Sequence, residues 1–250
     1  LRISGLFGDE LILGSFVSRL LPILVGLNFV VIGFNNKSLI NLFLILIITS
    51  ITILISGERS AVLYLIIFIF LTFLLIKSLR LFLIPIIFIY ILSTLTLFNF
   101  YPKVKERVFG YTLSQTNLLT DDPKIFSIQH EVIFKTSLKI FKDNVIFGIG
   151  PKNFREICKG KEYQTLSEAD HSINGCQTHS HNTYIQLLVE TGIVGTSFVL
   201  FFLFYILKNI FKIIKIKKEF HKNKYLLFHI FIIINIFINL WPLVPTGSFF

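Results

Sequence analysis

Apolar residues gather along the chain in six runs, at roughly 11–33, 38–56, 59–77, 81–99, 183–207 and 225–245. Each run is about long enough to cross some 30 Å of hydrocarbon as a helix. Helix is the required form, because lipid offers no partner to an unpaired backbone group. The polar breaks are "NNK" (35–37), "GE" (57–58), "KSLR" (77–80), a long segment at 100–180 and the Lys-rich 208–224. The long break exceeds a bare connection and predicts a small extramembrane domain. Within it, 121–144 carries apolar residues at 125, 126, 128, 132, 133, 134, 138, 140 and 141, the spacing of an amphipathic helix. Asp121 or Asp122 is placed to cap that helix and Pro123 falls in its first turn. "GIGPKN" (148–153) reads as a turn from its Gly and Pro. The expected organisation is therefore transmembrane helices over 1–99, a helical loop domain over 100–182, and two further spans over 183–250.

Composition agrees with this pattern and charge orients it. Hydrophobic residues make up 54% of the 250, above the range of soluble domains, and Phe alone occurs 29 times. The formal charge of +10 would suit nucleic acid, but seven of the 24 Lys+Arg lie in 208–224, between two apolar runs. A short basic loop beside membrane spans faces the cytoplasm and anionic lipid, so the lipid bilayer is the expected partner and nucleic acid is not. Parity then makes "KSLR" and "NNK" cytoplasmic too, and the three loops together hold ten Lys/Arg against one Glu. Residues 1–10, "GE" and 100–180 fall on the opposite side. The chain begins at Leu1 without Met and reads as an internal fragment of a longer protein.

Candidate chemistry collects on that opposite side. Cys158 and Cys176 are the two cysteines, and an outer location favours a disulfide, worth roughly 3 kcal/mol for a loop of this size. His171, Cys176, His179 and His181 could together bind zinc, but they lack the paired spacing of common zinc motifs, and a disulfide would remove the Cys176 thiolate. His181 stands just before an apolar helix with Asn182 or Ser180 placed to cap it. The positive end of the helix dipole disfavours imidazolium there, leaving a ring able to accept a proton. Arg59 opens the third apolar run and Arg19 lies about two turns into the first. Arginines at such depths either snorkel to headgroups or face a polar cavity. Their shared side with His181 favours one site, with Arg107 as a weaker member. Glu190, a little over two turns into the fifth run, either pairs with an arginine or bends toward water. Gly192, Gly195 and Thr196 read as a small-residue packing face.

Residues 181–195, "HNTYIQLLVETGIVG", resemble the late motif of the bacterial O-antigen ligase and O-antigen polymerase family: His, an amide or hydroxyl residue, nine residues, then Gly-x-x-Gly. "RSAVL" (59–63) is similar to that family's Arg-x-x-x-Leu element, and "GIGPKNF" (148–154) to its Gly-rich stretch. "LFGDELILGSFVSRLLP" resembles the segment entering an earlier helix. The resemblance covers nearly the whole chain in order. It implies the later half of a protein of about twelve spans, with a fold related to the class C glycosyltransferases. It also implies a place in the bacterial inner membrane with the site facing the periplasm. The implied donor is an undecaprenyl-pyrophosphate-linked glycan, and the implied acceptor is a sugar hydroxyl of a glycolipid or glycan.

Such a reaction needs a base for the acceptor hydroxyl and cations for the departing pyrophosphate. His181 is the expected base and Arg59 the main pyrophosphate contact, with guanidinium forks better suited than Lys to phosphate oxygens. Arg19, Asn182, His179 and Arg107 are the expected substrate-binding residues. No cofactor is called for, and without an Asp-x-Asp pair no metal is expected. Ligase and polymerase activity share the donor and differ in acceptor. A lipid-linked oligosaccharide flippase could use the same arginines, but it has no need of a capped histidine outside the membrane. A sensor or structural role is the third reading.

Overall fold

The computed structural model describes residues 4–8, 10–116, 126–167, 173–215 and 223–243. Regular structure among them is helical, apart from a single antiparallel bridge between Leu166 and Asn174. The chain is an all-α polytopic membrane protein. It divides into two compact units: residues 1–111 with 205–240, and residues 112–204 with 241–250.

The first unit is built from α1 (Leu13–Ile32), α2 (Asn36–Ser56), α3 (Arg59–Leu75), α4 (Arg80–Phe100) and α10 (Lys224–Asn239). A short helix α5 (Pro102–Lys105) follows α4 and leads through a π-helical turn, Glu106–Gly110, to α6 (Tyr111–Thr116). The expected polar breaks supply the helix ends. Asn35 caps α2 through a reciprocal capping box with Ser38, and Gly57 closes it in the left-handed conformation at φ 66°. Helix α1 packs against α2, α3 and α10. Gly26 allows its approach to α10, since a Cβ there would meet the Phe228 ring at 2.6 Å. Phe29 stacks on Phe231 beneath this contact, with ring centroids 6.0 Å apart.

Outward faces are as apolar as the core. On α2, Ile40, Leu44, Ile48 and Ile51 are all exposed, and on α4 so are Ile84, Phe88, Ile91 and Leu95. Spacings of three and four place each set on one helical stripe. Stripes of that size facing outward mark a surface made for hydrocarbon rather than water. Among the described residues, four helical stretches are long and apolar enough to cross a membrane: α1, α2, 77–100 and the later helix α9 (Thr183–Lys215). Six spans of comparable length were expected, and the difference lies in α3 and α10. Their 17 and 16 residues reach about 25 Å, short of the hydrocarbon thickness.

The second unit contains α7 (Ile128–Asp143), the single turn α8 (Phe154–Ile157) and the first part of α9. The amphipathic helix expected over 121–144 begins later, because Ser127 rather than an aspartate caps it, accepting from the His130 backbone N–H. Asp121, Asp122 and Pro123 lie outside the described residues, as do His171 and positions 216–222 of the Lys-rich loop. The buried face of α7 (Ile133, Phe134, Ile140) packs with Phe154, Cys158 and Val189 into one apolar core.

Helix α9 is broken. Gly192 sits at φ 64° and ψ −164°, a backbone open essentially to glycine alone. The break releases the carbonyls of Val189 and Glu190 and the N–H groups of Ile193 and Val194 from their helical partners. The segment 145–150 takes all four: Ile149 N–H donates to Val189 O and Gly150 N–H to Glu190 O, while Ile193 and Val194 donate to the carbonyls of Val145 and Ile146, over 2.9–3.3 Å. An opened helical ladder is tolerated when inserted groups restore its bonds. Gly148 and Gly192 make the approach feasible, since a Cβ on either would strike the opposing backbone. Of the residues expected to form a helix-packing face, Gly192 thus does something else: it breaks the helix and admits a second segment of backbone.

Candidate active site

In the first unit the basic side chains gather around the α2–α3 turn. Glu58, the residue between Gly57 and Arg59, is buried and reaches back to the start of α1. Its carboxylate accepts from the N–H groups of Gly14 at 2.6 Å and Ser15 at 3.1 Å, and from the Ser15 hydroxyl at 2.5 Å. Those N–H groups are orphans of a helix start whose own cap residue, Ile12, has no side-chain acceptor, and a carboxylate there complements the dipole. The contact fixes α1 against the turn and leaves Arg59 exposed as the first residue of α3.

Arg107 donates through Nε to the Gly57 carbonyl at 3.3 Å, two residues from Arg59. Arg19, on α1, donates to the Tyr64 hydroxyl at 3.1 Å and lies over that ring at 5.2 Å, and Tyr64 is one and a half turns along α3 from Arg59. The Arg19 Nε is buried and has no hydrogen-bond partner among the described residues. The three arginines named by the sequence are therefore tied to a single helix, α3, and its preceding turn. Glu58, Ser15 and Tyr64 were missed. An acid inside an otherwise apolar stretch was the available signal for Glu58.

In the second unit the histidines gather against α7. Cys158 and Cys176 are joined as a disulfide across 18 residues, with Cα atoms 5.1 Å apart. The bridge anchors the loop that follows it. Gly175 lies so close to α7 that a Cβ would collide with the Thr136 side chain. Ser180, fully buried, accepts from the Ser137 hydroxyl at 3.0 Å. Asn182 caps α9 through Oδ1, which accepts from the N–H groups of Tyr184 and Ile185, and its Nδ2 donates to the Pro242 carbonyl at 2.8 Å. Of the two expected caps, Asn182 serves and Ser180 is engaged elsewhere.

His181 stands between these two pinned residues at φ 52°, a left-handed backbone that a side-chain-bearing residue rarely adopts. Such a conformation persists when its surroundings over-determine it, and a fixed neighbour on each side does that. Its ring lies 4.0 Å from that of His179 and 5.8 Å from that of His130, centroid to centroid. Burial pushes its pKa down to about 4, with His179 and His130 adding repulsion in that order. The neutral ring expected from the helix dipole is present, but its causes are burial and two neighbouring imidazoles. His130 was not anticipated. Its position three residues after Ser127, at the start of an amphipathic helix, was the only hint.

Glu190 neither bends to water nor pairs with an arginine. It is buried, Gln186 Nε2 donates to one carboxylate oxygen at 3.1 Å, and the other oxygen has no partner among the described residues. Among the described residues, no group of three or more His, Cys, Asp or Glu is placed to hold a metal ion. The disulfide removes Cys176 from the zinc set considered above.

A family model described as O-antigen ligase matches residues 44–202, well over half of the chain. That span takes in the α2–α3 turn, the helix break and the His181 turn. No curated protein and no solved structure matches the chain.

Proposed function

Because the chain belongs to the O-antigen ligase family, we propose that it transfers an undecaprenyl-pyrophosphate-linked glycan to an acceptor sugar hydroxyl on the outer face of the bacterial inner membrane. The observation that carries this reading is the His181 turn. An imidazole is held uncharged between two pinned residues, at the head of a membrane helix, inside the family match. A ring kept neutral well below pH 7 is always free to receive a proton.

The chemistry assigns each group a role. The acceptor oxygen bonds to the anomeric carbon as that carbon's bond to phosphate oxygen breaks, inverting the configuration. The hydroxyl proton passes to His181, and the electron pair leaves with undecaprenyl pyrophosphate. General base catalysis of this kind supplies typically 10²–10⁴-fold, and is best when the base's pKa lies near the working pH. An imidazole that titrates at about 4 is a weak base by itself. An anionic pyrophosphate brought beside it raises that value, so the donor strengthens its own base. Arg59 is the main pyrophosphate contact, Arg19 and Arg107 are further anion contacts, and His179 contacts substrate. Asn182, engaged at both ends of its amide, positions His181. The bond energy already resides in the donor, and arginines neutralise the leaving group, so the reaction needs neither metal nor cofactor.

A cavity of about 480 Å³ in the first unit supports a lipid-linked donor. It is lined by Leu54, Ile55, Leu97 and Phe100, and by Lys103 as well. Leu54 lies three residues before Gly57, the anchor of Arg107, so an apolar tail and an anionic head would meet complementary surfaces in sequence.

The test is in-vitro transfer by the full-length enzyme from purified donor to acceptor. His181→Ala is expected to lose at least about a hundredfold in turnover. Near wild-type turnover in that variant ends the base assignment. Arg59→Lys is expected to lose activity because a point charge cannot reproduce the guanidinium fork. Ligase and polymerase separate in a deletion strain: full-length chains left on the carrier indicate a ligase, single repeat units on core a polymerase.

A further inference from the structure

Resting on His181 as the base, we propose that His130 is its positioning residue, an imidazole carried on a separate helix that holds the catalytic ring in place and sheltered from water. His130 and His181 stand 51 positions apart in the sequence and come from different elements, yet their rings meet edge to face at an interplanar angle of 89°. His130 is itself oriented. Ser127 Oγ lies 2.6 Å from its Nδ1, and the same oxygen accepts its backbone N–H at 3.5 Å. The interaction that starts α7 therefore also sets the plane of the His130 ring. Phe134, one turn on, backs that ring at 6.2 Å and is braced in turn by Phe126.

His181 is thus held between two imidazoles, His179 from its own turn and His130 from α7. These are the titratable groups that act on it among the described residues. Plain packing would be served as well by an apolar ring at position 130. An imidazole adds two things: an anchor at Nδ1 and a repulsion that disfavours imidazolium at His181. Loss of the His130 ring opens His181 to water and removes the repulsion, and both effects make it easier to protonate.

Diethyl pyrocarbonate acylates neutral imidazole, so mass spectrometry of His181 acylation against pH reports its ionisation without any transfer assay. Full-length wild type, His130→Ala and His130→Asn are compared between pH 4.5 and 8, with transfer kinetics alongside. Asn offers an amide near the Nδ1 position, so it preserves the Ser127 contact should the alanine variant fold poorly. The expected result is a labelling midpoint for His181 that moves upward in both variants, leaving acylation at pH 5.5 several-fold lower than in wild type. In transfer, kcat falls about ten- to a hundredfold in His130→Ala with little change in KM, and added imidazole restores part of it. A His181 labelling curve that superimposes on wild type in a folded His130 variant overturns the inference and leaves the base reading intact. Full turnover by His181→Ala overturns the base reading, whatever the labelling curves show.

Discussion

Replacing Gly192 by Ala perturbs a point where two backbone segments interlock, and its cost can be worked through. At φ 64° and ψ −164° an alanine carries about 1–3 kcal/mol of backbone strain. The new Cβ would also collide with the Ile146 carbonyl, which is backbone and has no rotamer to move aside. If the helix straightens to escape both penalties, Ile193 and Val194 recover their helical acceptors, but the 145–150 segment loses four hydrogen bonds. Its own groups at Val145, Ile146, Ile149 and Gly150 are then left for water or for nothing, at about 1 kcal/mol each. Either route costs roughly 3–5 kcal/mol, on the order of ten degrees of apparent melting temperature for a chain of this size. The assay is thermal unfolding of purified full-length protein in detergent, read by intrinsic fluorescence. Gly110→Ala is the control. Gly110 lies in the π-helical turn, and its added Cβ would come no nearer than 3.5 Å to the Glu106 side chain, an ordinary van der Waals contact. That variant should melt within a few degrees of wild type. Equal melting temperatures for Gly192→Ala and wild type would refute the interlock as a stabilising element.

Three further outcomes follow from other contacts. Cys158→Ser with Cys176→Ser should destabilise the second unit by about 3 kcal/mol, seen as earlier proteolysis of the 145–182 region, because the bridge closes an 18-residue loop. Glu58→Ala should lower apparent stability by about 1–3 kcal/mol, since it strands the buried Gly14 N–H and the part-buried Ser15 N–H at the start of α1, while Glu58→Gln should recover part of the loss. Stability should also fall as pH drops from 6.5 toward 4: the unfolded chain protonates His181 at its ordinary value while the folded chain does not until about 4, so the unfolded state binds the extra proton across that window. Denaturant titrations at pH 7 and 4.5 check this, and His181→Gln should flatten the difference.

The membrane character and helix order were legible because they rest on runs of about twenty apolar residues and on where lysine falls, both local features of the chain. Helix ends were legible where capping chemistry is local, as at Asn35 and Gly57. Ser127 was passed over because two aspartates upstream offered a stronger signal for the same role. The arginines and His181 were legible because a charged or titratable group at a membrane boundary is conspicuous against its neighbours. Their partners were not. Glu58 acts on residues 43 and 44 positions away, and Tyr64 on one 45 positions away. Nothing in a linear pattern encodes such a separation.

The misread Gly192 exposes a more general limit. Gly192 and Gly195 sit in a run whose hydropathy supports an unbroken helix, and small residues at that spacing ordinarily let another helix approach. The two positions differ in backbone conformation, and Gly192 takes its own where a segment some 45 residues upstream bonds to the helix. Gly148 and Gly150 carry the matching half of the device, with φ of 67° and 90°. Each glycine pair read alone suggests a turn or a packing face. Read together, with an odd helix that must lose two hydrogen bonds and a loop that must find partners for its own, they specify one joint. That joint lies about three turns beyond His181, on the helix that the His181 turn leads into and inside the same unit, so the break and the pinning of the His181 turn brace a single short stretch of helix from both ends.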